Sequence, residues 1–157
     1  GNMDAISPKS QEPENAIIGD KLLERGKYIP LYGQAVAGRD GEFVLNGNEL
    51  DRILAPPSLT PVRGAYAVTV SGDSMEPRYF DGETVFVDPE RRVKRGDFVV
   101  AQVQTKENGP LLGYVKRFVR HNDDELVLTQ YHPEKELRFP HSSVVSVHYI
   151  VLGGQAT

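Results

Sequence analysis

The sequence predicts a mostly β domain, compact and antiparallel with short helical turns, and three observations carry that expectation. Segments rich in Val, Tyr and Phe recur at 66–70, 83–88, 97–104, 113–120, 125–130 and 144–152, the composition of strands. Asp81-Gly82, Arg95-Gly96-Asp97 and Asn122-Asp123-Asp124 separate several of them, and such residues form tight turns. No long amphipathic helix intervenes, whereas a parallel sheet needs helical crossovers between its strands.

Taken in order, residues 1–16 hold Ser7, Pro8, Ser10 and Pro13 with several charges and few apolar residues, a linker composition. The domain is expected over 17–157, and a linker before it implies a longer protein of which this is the C-terminal part. A short helical stretch over 17–26 follows from Ile18, Leu22 and Leu23 near helical spacing, limited by Gly19 and Gly26. Beyond Tyr28 the pattern turns extended, with short strands at 29–31, 34–37 and 42–45 and turns at Asp40-Gly41 and Asn46-Gly47. The segment 49–54 is too short to assign before Pro56-Pro57 ends it. There is no internal repeat.

Composition removes several function classes. At 157 residues, 39% hydrophobic and 25% charged, the chain suits one globular domain with a core, plus a tail. Eighteen Lys and Arg against 22 Asp and Glu leave a formal charge of −4, so the basic face that holds phosphates is not expected here. DNA binding would need an N-terminal domain absent from this chain. The lack of Cys excludes disulfides, thiolate metal sites and a cysteine nucleophile. His121, His132, His141 and His148 are not spaced like zinc ligands, so neither metal nor cofactor is expected. Apolar runs such as 98–101 fall far short of the roughly 20 residues that span a bilayer. No signal peptide opens the chain, and a cytoplasmic protein without membrane contact is the expectation.

Three stretches could carry chemistry. Ser71-Gly72-Asp73-Ser74-Met75-Glu76-Pro77 follows the strand end at Val70. A Ser opening a helical turn there would be exposed, with nearby N–H groups able to receive an oxyanion. The same Ser and Asp also make ordinary N-caps. Lys116 shares a strand face with Tyr114 and Phe118. Apolar surroundings disfavour the ammonium and lower its pKa, as a lysine base requires. Lowering it by about three units from about 10.4 costs on the order of 4 kcal/mol. Alternatively the stem packs on Tyr114 and the amine snorkels to water. Finally, Gly33-Gln34-Ala35-Val36-Ala37-Gly38-Arg39-Asp40-Gly41 is a run of small residues where a strand meets a turn. It would offer little bulk to a nucleophile at the Ala37-Gly38 bond, and it is equally ordinary turn chemistry.

In this order, Ala37-Gly38, Ser-Gly-Asp-Ser-Met at 71–75 and Val-Lys-Arg-Phe at 115–118 resemble the C-terminal domain of LexA, the UmuD-type mutagenesis proteins and the phage-type repressors. The likeness runs over about 29–152, where Asp81-Gly82-Glu83 and Arg95-Gly96-Asp97 also fit. It implies the β fold of the LexA and signal-peptidase-like type and a serine/lysine peptidase that cuts itself. Ser74 would be the nucleophile, Lys116 the general base, and Ala37-Gly38 the bond cut. The backbone N–H groups of Asp73 and Ser74 would form the oxyanion hole, while Ser71 does not attack. The resemblance also implies a homodimer, a RecA-type filament as co-protease and a place in transcriptional repression and the SOS response. Two alternatives stand beside it. One is a catalytically inactive dimerisation and regulatory domain of a transcriptional regulator; the other is signal peptidase, which shares the Ser/Lys pair but has an anchoring helix that this chain lacks.

Overall fold

The computed structural model describes residues 26–33, 40–45 and 49–154. The predicted linker over 1–16, the predicted helical stretch over 17–26 apart from Gly26, and the predicted strand over 34–37 lie outside the described residues. Two units divide the chain. Gly1–Tyr28 with Leu54–Thr60 is one, and Ile29–Ile53 with Pro61–Thr157 is the other. In the first, the Ala55 N–H donates to the Lys27 carbonyl at 2.7 Å, ahead of a 3-10 turn, Pro57–Leu59.

Ten strands make one sheet among the described residues. They are β1 Tyr28–Tyr32, β2 Phe43–Val44, β3 Glu49–Leu54, β4 Tyr66–Thr69, β5 Thr84–Asp88, β6 Phe98–Val103, β7 Leu112–His121, β8 Glu125–Tyr131, β9 Glu134–Pro140 and β10 Val144–Gly154. The sheet order is β9-β8-β7-β6-β10-β5-β4-β1-β3, with β2 paired to β7. A second 3-10 turn, His141–Ser143, leads into β10. The mostly β expectation holds, and every strand predicted over 66–152 is present.

Three features depart from the sequence reading. The β1–β4 pair is parallel, with Leu31 opposite Ala67 and Tyr32 opposite Val68, so the sheet is mixed rather than wholly antiparallel. Strand β3 forms where the sequence was too short to assign. Strand β9 went unread because Glu134, Lys135 and Glu136 oppose β propensity. It forms as the return arm of a hairpin whose register runs from Glu134↔Tyr131 to Pro140↔Glu125. Buried Leu137 on the inner face, and Arg138 paired with Glu125 at 2.7 Å outside, give the strand its alternation.

The near-continuous apolar run of β6 is explained by burial on both faces. Val99, Ala101 and Val103 face a core shared with Tyr114, Leu126, Leu128 and Leu137. The alternate residue Val100 faces a second core with Val68, Val85, Val87 and Val115. Strands β6 and β7 therefore separate two apolar clusters. Any side chain on the buried half of β7 is withdrawn from water. The long strand β10 pairs with β6 through residues 144–149 and with β5 through 149–154, shifting register between Ile150 and Leu152.

At the end of β10, Gly153 lies against Tyr79, a side chain that is 1% exposed. A Cβ at Gly153 would stand 2.6 Å from the Tyr79 ring, closer than van der Waals contact permits. Gly153→Ala is expected to destabilise the fold by about 1–3 kcal/mol through overpacking. Val145→Ala, at a site 56% exposed on the same strand, should change stability by less than about 0.5 kcal/mol. Urea denaturation midpoints of the two variants measure the contrast.

Candidate active site

Ser74 lies in the connection between β4 and β5. Gly72 turns the chain there with φ of +79°, a left-handed backbone that costs a residue without Cβ little. Its N–H donates to Asp81 Oδ1 at 2.8 Å. Further on, the Glu76 N–H donates to the Asp73 carbonyl at 3.1 Å and the Tyr79 N–H to the Met75 carbonyl at 3.0 Å. The segment is thus a set of hydrogen-bonded turns rather than a helix, pinned to the core by Met75 and Tyr79.

A second segment holds it from the other side. The N–H groups of Tyr131 and His132, in the tight β8–β9 turn, both donate to the Ser74 carbonyl, at 2.9 and 3.0 Å. Buried Gln130 donates Nε2 to the Pro133 carbonyl at 3.0 Å and so braces that turn. The Ser74 backbone is fixed before its side chain makes any contact.

Lys116 arrives from β7, opposite Val99 of β6, and is only 1% exposed. Its Nζ stands 2.7 Å from Ser74 Oγ and also donates to the carbonyl of Asp40. Burial brings the pKa of this amine down from 10.5 to about 8. The Asp40 and Glu42 carboxylates oppose that fall, and the Lys135 ammonium adds to it. A drop of this size corresponds to roughly 3 kcal/mol in favour of the neutral form. The snorkelling alternative does not hold, because the amine is inside.

Ser74 is also buried, 7% exposed, which corrects the expectation of an exposed hydroxyl. The cover is the Asp40-Gly41 turn. Gly41 has φ of +75°, and a Cβ on it would lie 3.0 Å from both Ser74 Oγ and the Ser71 carbonyl. A side chain there would be strained by the left-handed backbone and would force its neighbours to yield, so glycine suits that approach. Ser74 Oγ is 3.4 Å from the Asp40 carbonyl. The Asp40 carboxylate pairs with Lys135 of β9 at 2.8 Å, and its N–H donates to Glu42 Oε1 at 3.0 Å.

Of the residues singled out in the sequence, Ser74 and Lys116 are thus side by side. Asp73 flanks them with its carboxylate in solvent, 3.8 Å from His132 Nδ1. Ala37 and Gly38 lie outside the described residues. Asp40 and Gly41 close the run of small residues at 33–41, and in the sequence they stand only as its turn, with no sign that they cover Ser74. Nothing in the sequence marked Lys135 or the β8–β9 turn. Among the described residues no group of three or more His, Asp or Glu side chains could hold a metal ion, and no helix there is long and apolar enough to cross a membrane.

Chemically, an amine with a pKa of about 8 in hydrogen-bond contact with a hydroxyl has the geometry that a general base and a nucleophile require. The family model for Peptidase S24-like proteins matches residues 30–144. Among curated proteins the chain is similar to Repressor protein C of Rhizobium phage 16-3, 44% identical over 96% of this chain and 64% of that protein. It is also similar to the LexA repressor of Gluconobacter oxydans, 36% identical over 50% of this chain and 33% of that one. The LexA repressor of Leptospira biflexa is 32% identical over 55% of this chain and 43% of its own length. The chain therefore spans less than two thirds of the length of each of these relatives.

The Lys116 amine has a lower pKa folded than unfolded, so the unfolded chain binds the extra proton between about pH 8 and 10.5. Stability contributed by this group therefore rises with pH across that window. The comparison is made in a Ser74→Ala background, where the hydroxyl cannot react. There, the chain retaining Lys116 should gain up to roughly 3 kcal/mol relative to Lys116→Met between pH 7 and 11. Urea denaturation at each pH measures it, and a constant difference would show a solvated amine.

Proposed function

This chain belongs to the Peptidase S24-like family, and on that premise we propose that it is the self-processing domain of a LexA-like or phage-type repressor, a serine/lysine peptidase that cuts its own Ala37-Gly38 bond. The observation that carries the reading is the 2.7 Å contact between Lys116 Nζ and Ser74 Oγ, made by an amine whose burial brings its pKa to about 8.

In the proposed mechanism neutral Lys116 takes the Ser74 hydroxyl proton as Oγ attacks the carbonyl carbon of Ala37. The N–H groups of Asp73 and Ser74 receive the oxyanion. The Ala37–Gly38 C–N bond then breaks, and the Gly38 amine leaves with the proton from Lys116. Water, deprotonated by the same amine, releases the acyl group from Ser74. Because substrate and nucleophile share a chain, the effective concentration is high and each molecule reacts once.

The wider role belongs to the same proposal. It comprises a cytoplasmic homodimer, DNA contact through an N-terminal domain outside this chain, and cleavage promoted by a RecA-type filament. The names of the relatives, repressors in each case, support the regulatory half of this reading. The chemistry of the Ser74–Lys116 pair supports the other half.

Incubation of intact chain near pH 10, followed by mass spectrometry, should give one fragment ending at Ala37 and one beginning at Gly38. The rate should rise roughly tenfold per pH unit below the Lys116 pKa and level off above it, following the neutral amine. Ser74→Ala and Lys116→Ala should each slow cleavage about a thousandfold or more. A wild-type chain that stays whole at pH 10, or cleavage that persists in Ser74→Ala, would overturn the proposal.

A further inference from the structure

Asp40 is the third residue after the proposed cut, and its side chain and backbone are engaged separately. Its carbonyl accepts from Lys116 Nζ, while its carboxylate meets Lys135 Nζ at 2.8 Å. We propose that Lys135 is a specificity-determining residue, which docks the substrate segment on the dyad by pairing with the acidic side chain three positions beyond the cut bond. This rests on reading residues around Ala37-Gly38 as the substrate.

Two constraints make the ion pair a measure of register. Gly41 lies over Ser74 Oγ with φ of +75°, a spot where a Cβ would crowd the hydroxyl and the Ser71 carbonyl at 3.0 Å, so glycine is favoured there. A slip of one residue would bring a side chain onto that spot and carry the carboxylate away from Lys135. The pair is partly withdrawn from water, with side chains 39% and 22% exposed, so it is screened less than a free surface pair.

Lys135 is also mechanically tied to the nucleophile. It stands opposite Gln130 in the β8–β9 hairpin, and the turn of that hairpin donates both N–H groups to the Ser74 carbonyl. One hairpin therefore holds the backbone of the nucleophile and the side chain of the substrate. The substrate class that fits is a peptide with small residues at the cut and a carboxylate at the third position after it, supplied by the same chain or by a second copy.

Charge exchange tests this on the full chain. Cleavage at pH 10 should be slowed about fivefold or more by Lys135→Glu and by Asp40→Lys separately, since each replaces attraction with repulsion. The double exchange should recover to within about threefold of wild type. A Lys135→Glu chain cutting at the wild-type rate, or a double exchange as slow as the single ones, overturns the proposal. Protection of the Gly41 and Glu42 amides from hydrogen exchange, read in the Ser74→Ala background, gives a second measure that needs no cleavage. Should wild type fail to cut at all, the peptidase reading falls. Docking is then decided by that protection alone: loss in Lys135→Glu with recovery in the double exchange supports it, and unchanged protection overturns it.

Discussion

Withdrawing the Lys116 ammonium from water is the constraint on which the rest depends. It costs roughly 3 kcal/mol, against the 5–15 kcal/mol that a domain of ordinary stability has in total. The position is tolerable because β6 and the first half of β7 are buried among apolar neighbours, with Val99, Val100 and Val115 almost wholly buried. It is also tolerable because the charged form is not left unpartnered. Ser74 Oγ and the Asp40 carbonyl accept from it, so the site can hold either protonation state. A pKa of about 8 leaves about a tenth of the amine neutral at pH 7.

None of the contacts at this amine is local. Lys116 is 42 positions from Ser74 and 76 from Asp40, and the amides holding the Ser74 carbonyl come from a third region, the β8–β9 turn. The site exists only once the sheet has closed its order from β9 to β4. Tyr79 shows the dependence from within. It belongs to the same run of turns as Ser74, and its ring packs edge-on to Phe98 of β6 at 5.6 Å. Pressure on that ring acts on the segment that carries the hydroxyl.

What the sequence made legible follows from what is local in it. Runs such as Phe98–Val103 announce strands because a strand buried on both faces is apolar at nearly every position, here all but Gln102, and the Ser-Gly-Asp-Ser-Met and Val-Lys-Arg-Phe stretches announce a Ser and a Lys that the fold brings together. Strand β9 was illegible because Glu134, Lys135 and Glu136 lie on the solvent-facing end of a hairpin arm; pairing with β8, rather than propensity, makes them extended. The burial of Ser74 was equally invisible, since the residues that cover it, Asp40 and Gly41, look like any other turn. The parallel β1–β4 pair depends on where the chain returns, which no local pattern encodes.

Asp40 joins the protonation of the amine to the seating of the chain beside it. Its carboxylate favours the Lys116 ammonium, while the Lys135 ammonium disfavours it, and the two ions are paired with each other. Were Asp40 present without Lys135, its carboxylate would draw Lys116 back towards the charged state and away from base chemistry. With the pair formed, the Lys135 ammonium offsets part of the pull of the carboxylate on Nζ, and burial remains the largest influence on the protonation state. In the proposed reaction, the segment that seats beside the amine therefore also bears on its proton: its carboxylates favour the charged form, and burial with the Lys135 ammonium opposes them.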